Sequence, residues 1–309
     1  MKGRLLELLR ERAEDGFTSG ESLAAALGVS RVAVWKALRS LKEAGYPVKT
    51  EERGYALTRP GDDFLYPWEF PGISHFYHWE STDSTMNRAR ELAERGVPGG
   101  TVIAAETQTA GMGRNGRAWS SPRGGLFFTL VERPNLGIAD YTRLVTAAHL
   151  TLGITITEIC GIPAQLRWPN DVYLRGKKAA GILTELSGAG DRIRWIAIGI
   201  GVNVNKTPPG TAACAEAAGH PLSRRELLLK FLDTLESTLA LNPADLKKGW
   251  NRSAGVIGRQ VRVIAPDHGA GEKTLERGTF LGIDSQGRGL VKGGRGIIPY
   301  APGSASLRI

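Results

Sequence analysis

The chain has 309 residues, of which 41% are hydrophobic and 23% are charged, values that are typical of globular proteins and argue against a disordered or fibrous chain. This length allows two domains or one large domain with appendages, at about 100 to 200 residues per domain. The 40 basic and 31 acidic residues give a formal net charge of +9, which suits a nucleic acid or another polyanion as partner but identifies no function by itself.

The first 58 residues have the pattern of three helices followed by a β-hairpin. Leucines between Leu5 and Leu9 predict a first helix that ends by residue 16. Thr18-Ser19-Gly20-Glu21 is typical of a capping box, and the second helix that it opens ends at Gly28. Ser30 caps a third helix, and residues 48–57 predict the hairpin. Two helices joined by a short turn that contains glycine are typical of a helix-turn-helix unit.

The third helix has a face that could reach phosphates and base edges in a major groove. A three-helix unit can also be a plain packing module, but the cap, the tight turn, the basic face and the hairpin wing occur together, which favours DNA binding. Glu51 and Glu52 weaken the hairpin as a phosphate contact. The predicted DNA-binding residues are Ser30, Arg31, Trp35, Lys36 and Arg39.

The turn-rich segment Arg59-Pro60-Gly61-Asp62-Asp63 predicts the first domain boundary, and from about residue 73 the pattern becomes mixed α and β. Ser84 precedes the first helix of this region as its N-cap, a position that can also hold a polar group of a ligand. The predicted helices are 85–94, 141–159 and 223–241, and the predicted strands are 101–105, 126–131, 172–174, 179–186 and 193–204.

A loop rich in glycine and arginine, Gln108 to Trp119, lies between the first two of these strands. Glycines permit close backbone approach and arginines bring fixed charge, so the loop could surround an anion, a phosphate above all. An ordinary solvated turn is the alternative. Gly111, Gly113 and Gly116 match a dinucleotide-binding fingerprint, but a strand follows where that motif requires a helix. A Walker loop is excluded because no Gly-Lys-Ser/Thr closes the run.

Three later features could be structural or functional. Trp168-Pro169-Asn170-Asp171 is unusual for a connection, although proline and Asn-Asp also suit a structural corner. Lys178 opens the next strand, at a place where most lysines are solvated. Gly199 and Gly201 interrupt an apolar strand, which indicates that another backbone or a ligand comes close.

Past Gly255 the chain changes to short strands with turn signals, which predict a small SH3-like barrel or sandwich. These strands are expected at 260–264, 279–283, 289–291, 296–298 and 306–309. We therefore predict three domains, at residues 1–60, 61–255 and 256–309.

Cys160 and Cys214 are far apart and have no cysteine or histidine at metal-ligand spacing, so we predict neither a disulfide framework nor a protein metal site. The five histidines are scattered. No stretch is long enough for a membrane span, and the N-terminus lacks the features of a signal peptide. We expect a cytoplasmic protein without membrane association.

Six motifs occur in the order known from one protein family. They are Asp83-Ser84-Thr85, the loop Gly111 to Trp119 after Gln108, Arg167-Trp168-Pro169-Asn170-Asp171, Lys178 to Leu183, Gly199-Ile200-Gly201-Val202-Asn203 and Ser306-Leu307-Arg308. With these motifs the chain resembles the biotin protein ligases, specifically the bifunctional form that is also the repressor of the biotin operon. The resemblance covers nearly the whole chain.

The resemblance implies an α/β (α+β) protein with an N-terminal winged helix-turn-helix, a central mixed-sheet domain similar to class II synthetases, and a small C-terminal SH3-like β-barrel. It also implies a two-step reaction. The carboxylate of biotin attacks the α-phosphate of ATP to give biotinyl-5′-AMP and pyrophosphate, and a lysine of a biotin carboxyl carrier protein then takes the biotinyl group. The implied cofactors are biotin, ATP and Mg²⁺, and the implied partners are the carrier protein, operator DNA and a second copy in a ligand-promoted homodimer.

The same resemblance assigns roles to individual residues. Lys178 and Arg114 match the family's groups at the carboxylate and the phosphates, and Asp171 would accept the proton of the acceptor lysine; these are the expected catalytic residues. The expected biotin-binding residues are Ser84, Thr85, Met86, Gln108, Met112, Gly113, Arg114 and Lys178. The expected adenylate-binding residues are Arg114, Arg117, Trp119 and Asn203.

Four positions depart from the family pattern. Met86 replaces an asparagine, Met112 and Asn115 replace basic residues of the loop, and Ala118 stands before the tryptophan. Because an arginine at position 112 normally helps to close the loop over the ligand, we expect Met112 to weaken retention of the adenylate.

Two other functions remain as alternatives. A lipoate or octanoate ligase or transferase shares the fold, but Trp-Pro-Asn-Asp and the Gly-Met-Gly-Arg loop favour biotin. The second is a transcription regulator whose ligase domain only senses biotin. The presence of Lys178, Arg114 and Asp171 argues against a loss of catalysis.

Overall fold

The structure, a computed structural model, describes residues 1–13, 16–58, 63–265 and 273–308. The chain divides into two compact units, Met1–Ser74 and His75–Ile309. In the described parts, no helix is both long and apolar enough to cross a membrane.

The N-terminal unit contains three helices and a hairpin, as the sequence predicts. The N-cap of the second helix is Ser19, whose hydroxyl accepts a hydrogen bond from the amide of Ser22 at 3.1 Å. Thr18, the first residue of the predicted capping box, instead exchanges backbone hydrogen bonds with Tyr55. Gly28 ends this helix with a φ of 65°, which favours glycine. The elements are α1 Lys2–Glu11, α2 Gly20–Leu27, α3 Arg31–Glu43, β1 Val48–Glu51 and β2 Gly54–Leu57.

A buried carboxylate fastens the end of this unit to its first helix. Glu69 is 2% exposed and accepts hydrogen bonds from the Arg10 guanidinium at 2.8 and 2.9 Å and from the Tyr46 hydroxyl at 2.6 Å. Burial, together with the hydrogen bond to Glu69, raises the pKa of Tyr46 above its ordinary value. Residues that follow the predicted domain boundary therefore pack as part of the helix-turn-helix unit, whereas residues 59–62 of that boundary lie outside the described residues.

The second unit is built on a seven-stranded mixed sheet in the order β3-β4-β5-β9-β8-β7-β6. β3 and β4 are parallel, and the other neighbouring pairs are antiparallel. The strands that begin at residues 101, 126, 171, 177 and 192 confirm the five predicted strands of this region. The strands at residues 76–79 and 165–167, β3 and β6, were not predicted. The strands are β3 Phe76–Trp79, β4 Thr101–Ala105, β5 Leu126–Glu132, β6 Gln165–Arg167, β7 Asp171–Leu174, β8 Lys177–Ala189 and β9 Arg192–Val202.

Five α-helices accompany this sheet in the described residues, and three of them confirm predicted helices. α5 has buried residues along most of its length and packs against α7 and α8. α8 was not predicted, although it carries two start signals: Asn242 caps the amides of Ala244 and Asp245, and Pro243 occupies its first turn. The helices are α4 Thr85–Glu94, α5 Tyr141–Cys160, α6 Cys214–Ala218, α7 Arg224–Leu239 and α8 Pro243–Ser253.

The last five strands form a separate antiparallel sheet in the order β13-β12-β11-β10-β14. Its end strands, β13 and β14, do not pair with each other within the described residues, so the sheet is not a closed barrel there. Trp168 joins this sheet to the central one, because its indole Nε1 donates to the carbonyl of Gly287 at 3.2 Å. Ile309, which the sequence places in the last strand, lies outside the described residues. The strands are β10 Gln260–Ile264, β11 Thr274–Ile283, β12 Gly289–Gly293, β13 Gly296–Tyr300 and β14 Ser306–Arg308.

Candidate functional site

A cavity of about 200 Å³ opens beside the central sheet and brings together all six sequence motifs. We call it the central cavity. Its lining comes from the start of α4, the loop after Gln108, the corner before β7, parts of β8 and β9, and the C-terminal strand. Predicted residues in its lining are Ser84, Thr85, Met86, Gln108, Met112, Gly113, Arg114, Arg117, Trp119, Asp171 and Lys178.

The loop Gln108 to Trp119 forms one wall. It connects β4 and β5, which are antiparallel neighbours, so its position between two strands is confirmed. The amide of Gly113 donates to the carbonyl of Arg117 at 2.7 Å, which folds the loop back on itself. Asn115 and Gly116 make the reversal with φ values of 57° and 70°, a left-handed conformation that asparagine and glycine tolerate best.

Polar groups at the start of α4 are joined to this loop. The Gln108 side-chain carbonyl accepts from the amide of Thr85 at 2.7 Å and from its hydroxyl at 3.1 Å, and the Gln108 amide nitrogen donates to Ser121 at 2.8 Å. Ser84 caps α4 by accepting from the amide of Met86 at 3.2 Å. These predicted ligand-binding residues are therefore held in place by one another.

The lining of the cavity also contains an ion pair. Lys178 Nζ is 2.7 Å from Asp171 Oδ1, and both side chains are about one-third exposed, at 32% and 28%. The same ammonium lies 5.0 Å from the centre of the Trp119 ring. A cation over an aromatic face is attracted by the ring, so the loop tryptophan and the lysine stabilise each other's positions.

Arg114 reaches from the loop to the C-terminal strand. Its guanidinium donates to the carbonyl of Ala305 at 3.1 Å and contacts Asn170 Oδ1 at 3.4 Å. Burial lowers the pKa of Arg114 below its ordinary value, and the negative charge of Asp171 opposes that effect. An arginine remains charged in spite of such a shift. The site thus holds a fixed cation with little water around it.

The charges of the central cavity are unequal. Its described lining has four basic residues, Arg114, Arg117, Lys178 and Arg308, and one carboxylate, Asp171. Charges interact more strongly in a partly buried site than in bulk water. The cavity is therefore suited to a small molecule that carries several negative charges.

Two glycines of β9 let side chains lie close against the sheet. A Cβ at Gly201 would come within 2.6 Å of the Trp119 ring, and one at Gly199 within 2.7 Å of the Met86 methyl group. The sequence correctly indicated that another group comes close to these two glycines. The expectation from the sequence was a backbone or a ligand, and the structure has the side chains of Trp119 and Met86 there. Trp119 Nε1 is buried and has no hydrogen-bond partner among the described residues, so it could donate to a ligand.

Asn203 differs from the other predicted residues of this unit. It is 2% exposed and does not belong to the described cavity lining; its carbonyl accepts from the amide of Cys214 at 2.8 Å. Conversely, Ser306, Leu307 and Arg308 line the cavity, although no individual role was predicted for them. Their motif, Ser306-Leu307-Arg308, is the sequence signal from which a role in the site could have been predicted.

A buried cluster of charged and polar side chains holds the start of the loop Gln108 to Trp119 in place. Glu106, two residues before Gln108, is 2% exposed and lies 2.7 Å from the guanidinium of Arg224 at the start of α7. His78 Nε2 is 3.4 Å from the same carboxylate. Burial raises the pKa of Glu106, but His78 and Arg224 outweigh that effect and bring it to about 2. Glu106 therefore stays ionised and fixes the entry to the loop.

His149 supports Asp171 from the other side. Its ring is 1% exposed and lies between Trp250, whose Nε1 is 3.2 Å from Nδ1, and the backbone carbonyl of Asp171, 3.0 Å from Nε2. Burial lowers its pKa to about 4. A neutral imidazole that accepts at Nδ1 carries its proton on Nε2 and donates to Asp171.

The predicted DNA-binding residues lie on or at the start of α3. Ser30 caps the helix by accepting from the amide of Ala33 at 3.2 Å, and Trp35 is 49% exposed. Both arginines of this set pair with acids: Arg31 with Glu21 at 2.9 Å and Arg39 with Glu43 at 3.0 Å. The face is therefore exposed as predicted, but part of its positive charge is compensated.

The described residues contain no group of three or more histidine, cysteine or acidic side chains that could hold a metal ion. Cys160 and Cys214 are buried free thiols, and Cys160 Sγ lies 3.8 Å from the carbonyl of Cys214.

A helix-turn-helix unit together with a mixed-sheet unit that carries a basic ligand cavity defines a class of protein that combines DNA binding with small-molecule chemistry. The profile of the HTH domain matches residues 4–56, and that of the biotin/lipoate A/B protein ligase family matches residues 79–203. The bifunctional ligase/repressor BirA of Bacillus subtilis is 34% identical over 318 residues, which cover 95% of this chain and 94% of BirA. The chain therefore belongs to the biotin/lipoate A/B protein ligase family, in its bifunctional ligase/repressor form.

Two further similarities cover the ligase region. The biotin–[acetyl-CoA-carboxylase] ligase of Paracoccus denitrificans is 36% identical over 241 residues, or 71% of this chain and 96% of that protein. The biotin protein ligase of Aquifex aeolicus, solved in complex with biotin and ATP, is 31% identical with a TM-score of 0.63 and covers 76% of this chain and 99% of that chain.

Proposed function

We propose that the protein is an ATP-dependent biotin protein ligase that forms biotinyl-5′-AMP and transfers biotin to a lysine of a biotin carboxyl carrier protein. The observation that carries this proposal is the central cavity, a small basic site whose lining contains Lys178, Arg114 and Asp171. Similarity to ligases along nearly the whole chain supports the same conclusion.

In the first step, a carboxylate must approach a triphosphate, so like charges are brought together. Lys178, Arg114 and Arg117 would offset this repulsion, because cations in a partly buried site stabilise charge better than water does. The Lys178–Asp171 pair, 2.7 Å apart, would have to open for Lys178 to contact an anionic substrate. Substrate binding would thereby also release Asp171 for the second step.

In the second step, the acceptor lysine must lose a proton. A free lysine with a pKa of about 10.4 is neutral only about once in 2,500 at pH 7. A carboxylate that receives the proton would help the amine attack the mixed anhydride, which expels AMP. Asp171 is the residue proposed for this role, because it is the one carboxylate in the described lining of the cavity.

The polar head of biotin would be recognised by Ser84, Thr85 and Gln108, and its ring system would lie along Met86, Met112 and Gly113. Trp119, whose Nε1 is buried without a partner among the described residues, would serve the adenylate. Asn203, which directly follows β9, would contribute to the adenylate pocket by holding the end of that strand rather than by direct contact.

Magnesium would be bound mainly by the substrate. One carboxylate in the described cavity lining fits a Mg²⁺ ion that keeps several waters and binds phosphate oxygens, and does not fit a cage made by the protein alone. When bound, the ion would neutralise phosphate charge. The orientation of the substrate would remain the task of Arg114, Arg117 and Lys178.

The decisive experiment is to incubate the full chain with biotin, ATP, Mg²⁺ and a biotin carrier domain, and to determine the mass of the carrier. We expect the mass of one biotinyl group to be added, with AMP and pyrophosphate as products. Parallel reactions with lipoate and octanoate test the alternative ligase function. Formation of biotinyl-AMP without transfer would instead favour a protein that only senses biotin.

We also propose that the protein represses biotin genes, with biotinyl-AMP as corepressor. The helix-turn-helix unit and the similarity to proteins named bifunctional ligase/repressor support this second role. A gel shift with upstream DNA of biotin genes should show binding that tightens when biotin and ATP are added. Binding that is insensitive to both would remove the coupling.

The remaining parts of the proposal concern assembly. We propose a homodimer promoted by the adenylate, a cytoplasmic location, and three functional parts at residues 1–60, 61–255 and 256–309. The C-terminal sheet would be an opened version of the SH3-like barrel, and the central sheet would be related to class II synthetases.

A further inference from the structure

The outward face of α3 has a hydrophobic residue at its centre. Val32, which was not among the predicted DNA-binding residues, is 61% exposed. Successive residues of a helix turn by about 100°, so Lys36 and Arg39 continue the line of Val32 along the helix. Trp35 lies beside this line, three residues after Val32, and is also exposed. We call Val32 and Trp35 the apolar pair.

The ring of Trp35 is held by the residues that follow it on the helix. The Arg39 guanidinium lies 5.8 Å from the centre of the ring, within the range of a cation–π contact, and its Nε is 3.0 Å from Glu43 Oε1. Each contact joins residues four positions apart, which are neighbours on a helix surface. Arg39 is therefore used in part to fix an apolar ring, and Val32 has a fixed apolar neighbour.

The apolar pair lines a cleft of about 450 Å³ between the start of α2, the start of α3 and the β-hairpin. The charged residues in its described lining are Glu21, Arg31, Glu51 and Glu52. Arg31 pairs with Glu21 at 2.9 Å, and Glu51 lies 2.7 Å from Lys49. The described lining therefore has no excess of positive charge that would favour a phosphate over an uncharged group.

A valine side chain has no hydrogen-bonding group, so it distinguishes base pairs only by apolar contact. Among the four bases, thymine alone presents an apolar group in the major groove, the methyl group at C5. In helix-turn-helix proteins, the first residues of the recognition helix contact the base edges. Val32 is the second residue of α3. We propose that Val32, supported by Trp35, contacts the methyl group of a thymine and so makes operator recognition depend on a thymine opposite the start of α3.

This inference rests on the proposed repressor role, which assigns DNA to α3, and adds to it the base that the helix selects. An exposed apolar pair also suits a contact between two copies of the chain. Lys36 favours DNA, because it is exposed beside Val32 on the same face. A cation next to an apolar centre matches a base edge that is flanked by phosphates.

The first arm of the test removes the methyl group from the DNA. The probe is the shortest duplex of upstream DNA of biotin genes that the wild-type chain retards in a gel shift with biotin, ATP and Mg²⁺. Each thymine is replaced in turn by uracil, which keeps the base pair and lacks only the methyl group. We expect at least one of these replacements to weaken binding about fourfold, the effect of one buried methyl group.

The second arm removes the valine from the protein. Val32→Ala should bind the thymine probe about fourfold more weakly and should bind the thymine and uracil probes equally at that position. Alanine favours an exposed helix more than valine does, so the helix should remain folded. Ile297→Ala is the matched control, because Ile297 is 58% exposed on β13 and is also β-branched. The control variant should bind every probe with the affinity of the wild type.

The two arms contradict the inference in different ways. Equal binding of all uracil probes by the wild-type chain removes the thymine contact without recourse to any variant. A Val32→Ala variant that still prefers thymine at the sensitive position assigns the methyl group to another residue. Weaker self-association of this variant in sedimentation, with an unchanged preference for thymine, assigns the apolar pair to a contact between two copies.

Failure of the proposed repressor role gives a separate result. If the wild-type chain retards no upstream DNA of biotin genes, the repressor role is rejected and this inference with it. If the chain retards the DNA but is insensitive to every uracil, only the thymine contact is rejected. Biotinylation of the carrier should be the same for the wild type and Val32→Ala, since the substitution lies on α3 and not in the central cavity.

Discussion

The central cavity and the exposed face of α3 are both basic, but they hold their charge in different ways. In the cavity, Arg114 is largely removed from water and four basic residues face a single carboxylate among the described lining residues. On α3, the side chains of Arg31 and Arg39 are 70% and 65% exposed and pair with Glu21 and Glu43. One region concentrates several basic side chains around a small cavity, and the other spreads paired charges over a surface.

The difference corresponds to the two ligands that we propose. A small polyanion offers few contacts, so each must be strong, and a partly buried cation in a site with little water provides that strength. DNA offers many phosphates, and its binding depends on the sum of weak, salt-sensitive contacts. Compensated charges on α3 would keep binding by a single copy weak. Operator binding would then depend on the proposed dimer.

The largest expected effect tests the buried side of this comparison. Lys178→Met should slow adenylate formation by about 10² to 10³-fold, because it removes a charge that offsets the repulsion between carboxylate and triphosphate. The rate is measured by pyrophosphate release. Lys177→Met is the matched control, since Lys177 is exposed at the preceding position of β8 and does not line the cavity. Similar rates for the two variants would show that the cavity does not work through Lys178.

A smaller effect is expected for the departure at position 112. Met112 lines the cavity and packs against the hydrophobic cluster that contains Met86. Met112→Arg should slow release of biotinyl-AMP by about tenfold, through one added charge-assisted contact. Release is followed by the dissociation of labelled adenylate. Met112→Leu keeps the apolar packing and should release the adenylate at the same rate as the wild type. Equal release rates for the wild type and both variants would contradict the proposed role of position 112.

The smallest effect tests the exposed side. Glu43→Gln removes the partner of Arg39 and should tighten operator binding by about two- to threefold at low salt, with the gain lost at high salt. Fluorescence anisotropy with labelled operator DNA measures the affinity at low and at high salt. Glu7→Gln, which changes the partner of Arg4 on α1, is the control with the same change in charge. A gain of the same size in the control would mean that only net charge matters.

Local signals predicted much of the fold. Ser30 and Ser84 marked the starts of α3 and α4, and apolar runs marked β4 and β5, because caps and burial patterns depend on residues close in sequence. The cap of α2 was placed one residue early, since Thr18 and Ser19 have the same capping chemistry and only the pairing of Thr18 with Tyr55 distinguishes them. α8 was overlooked despite its Asn242-Pro243 start.

The candidate site was also largely predicted, but by motif order and not by geometry. The sequence assembled Gln108, Lys178 and Asp171 into one site through resemblance, and the structure places all three around one cavity. It did not reveal that Asn203 is buried away from the described lining, or that Arg114 is bonded to Ala305. These facts depend on contacts across as many as 191 residues of chain, which no local pattern encodes.

By itself the sequence determined the helix-turn-helix unit, the loop Gln108 to Trp119 and the types of charge that the protein carries. The tertiary structure decided which of those charges act together. It buried Arg114, paired Lys178 with Asp171, and paired Arg31 with Glu21. The reason is physical: a side chain's chemistry is fixed by its type, whereas its burial and its neighbours are fixed only when distant segments pack.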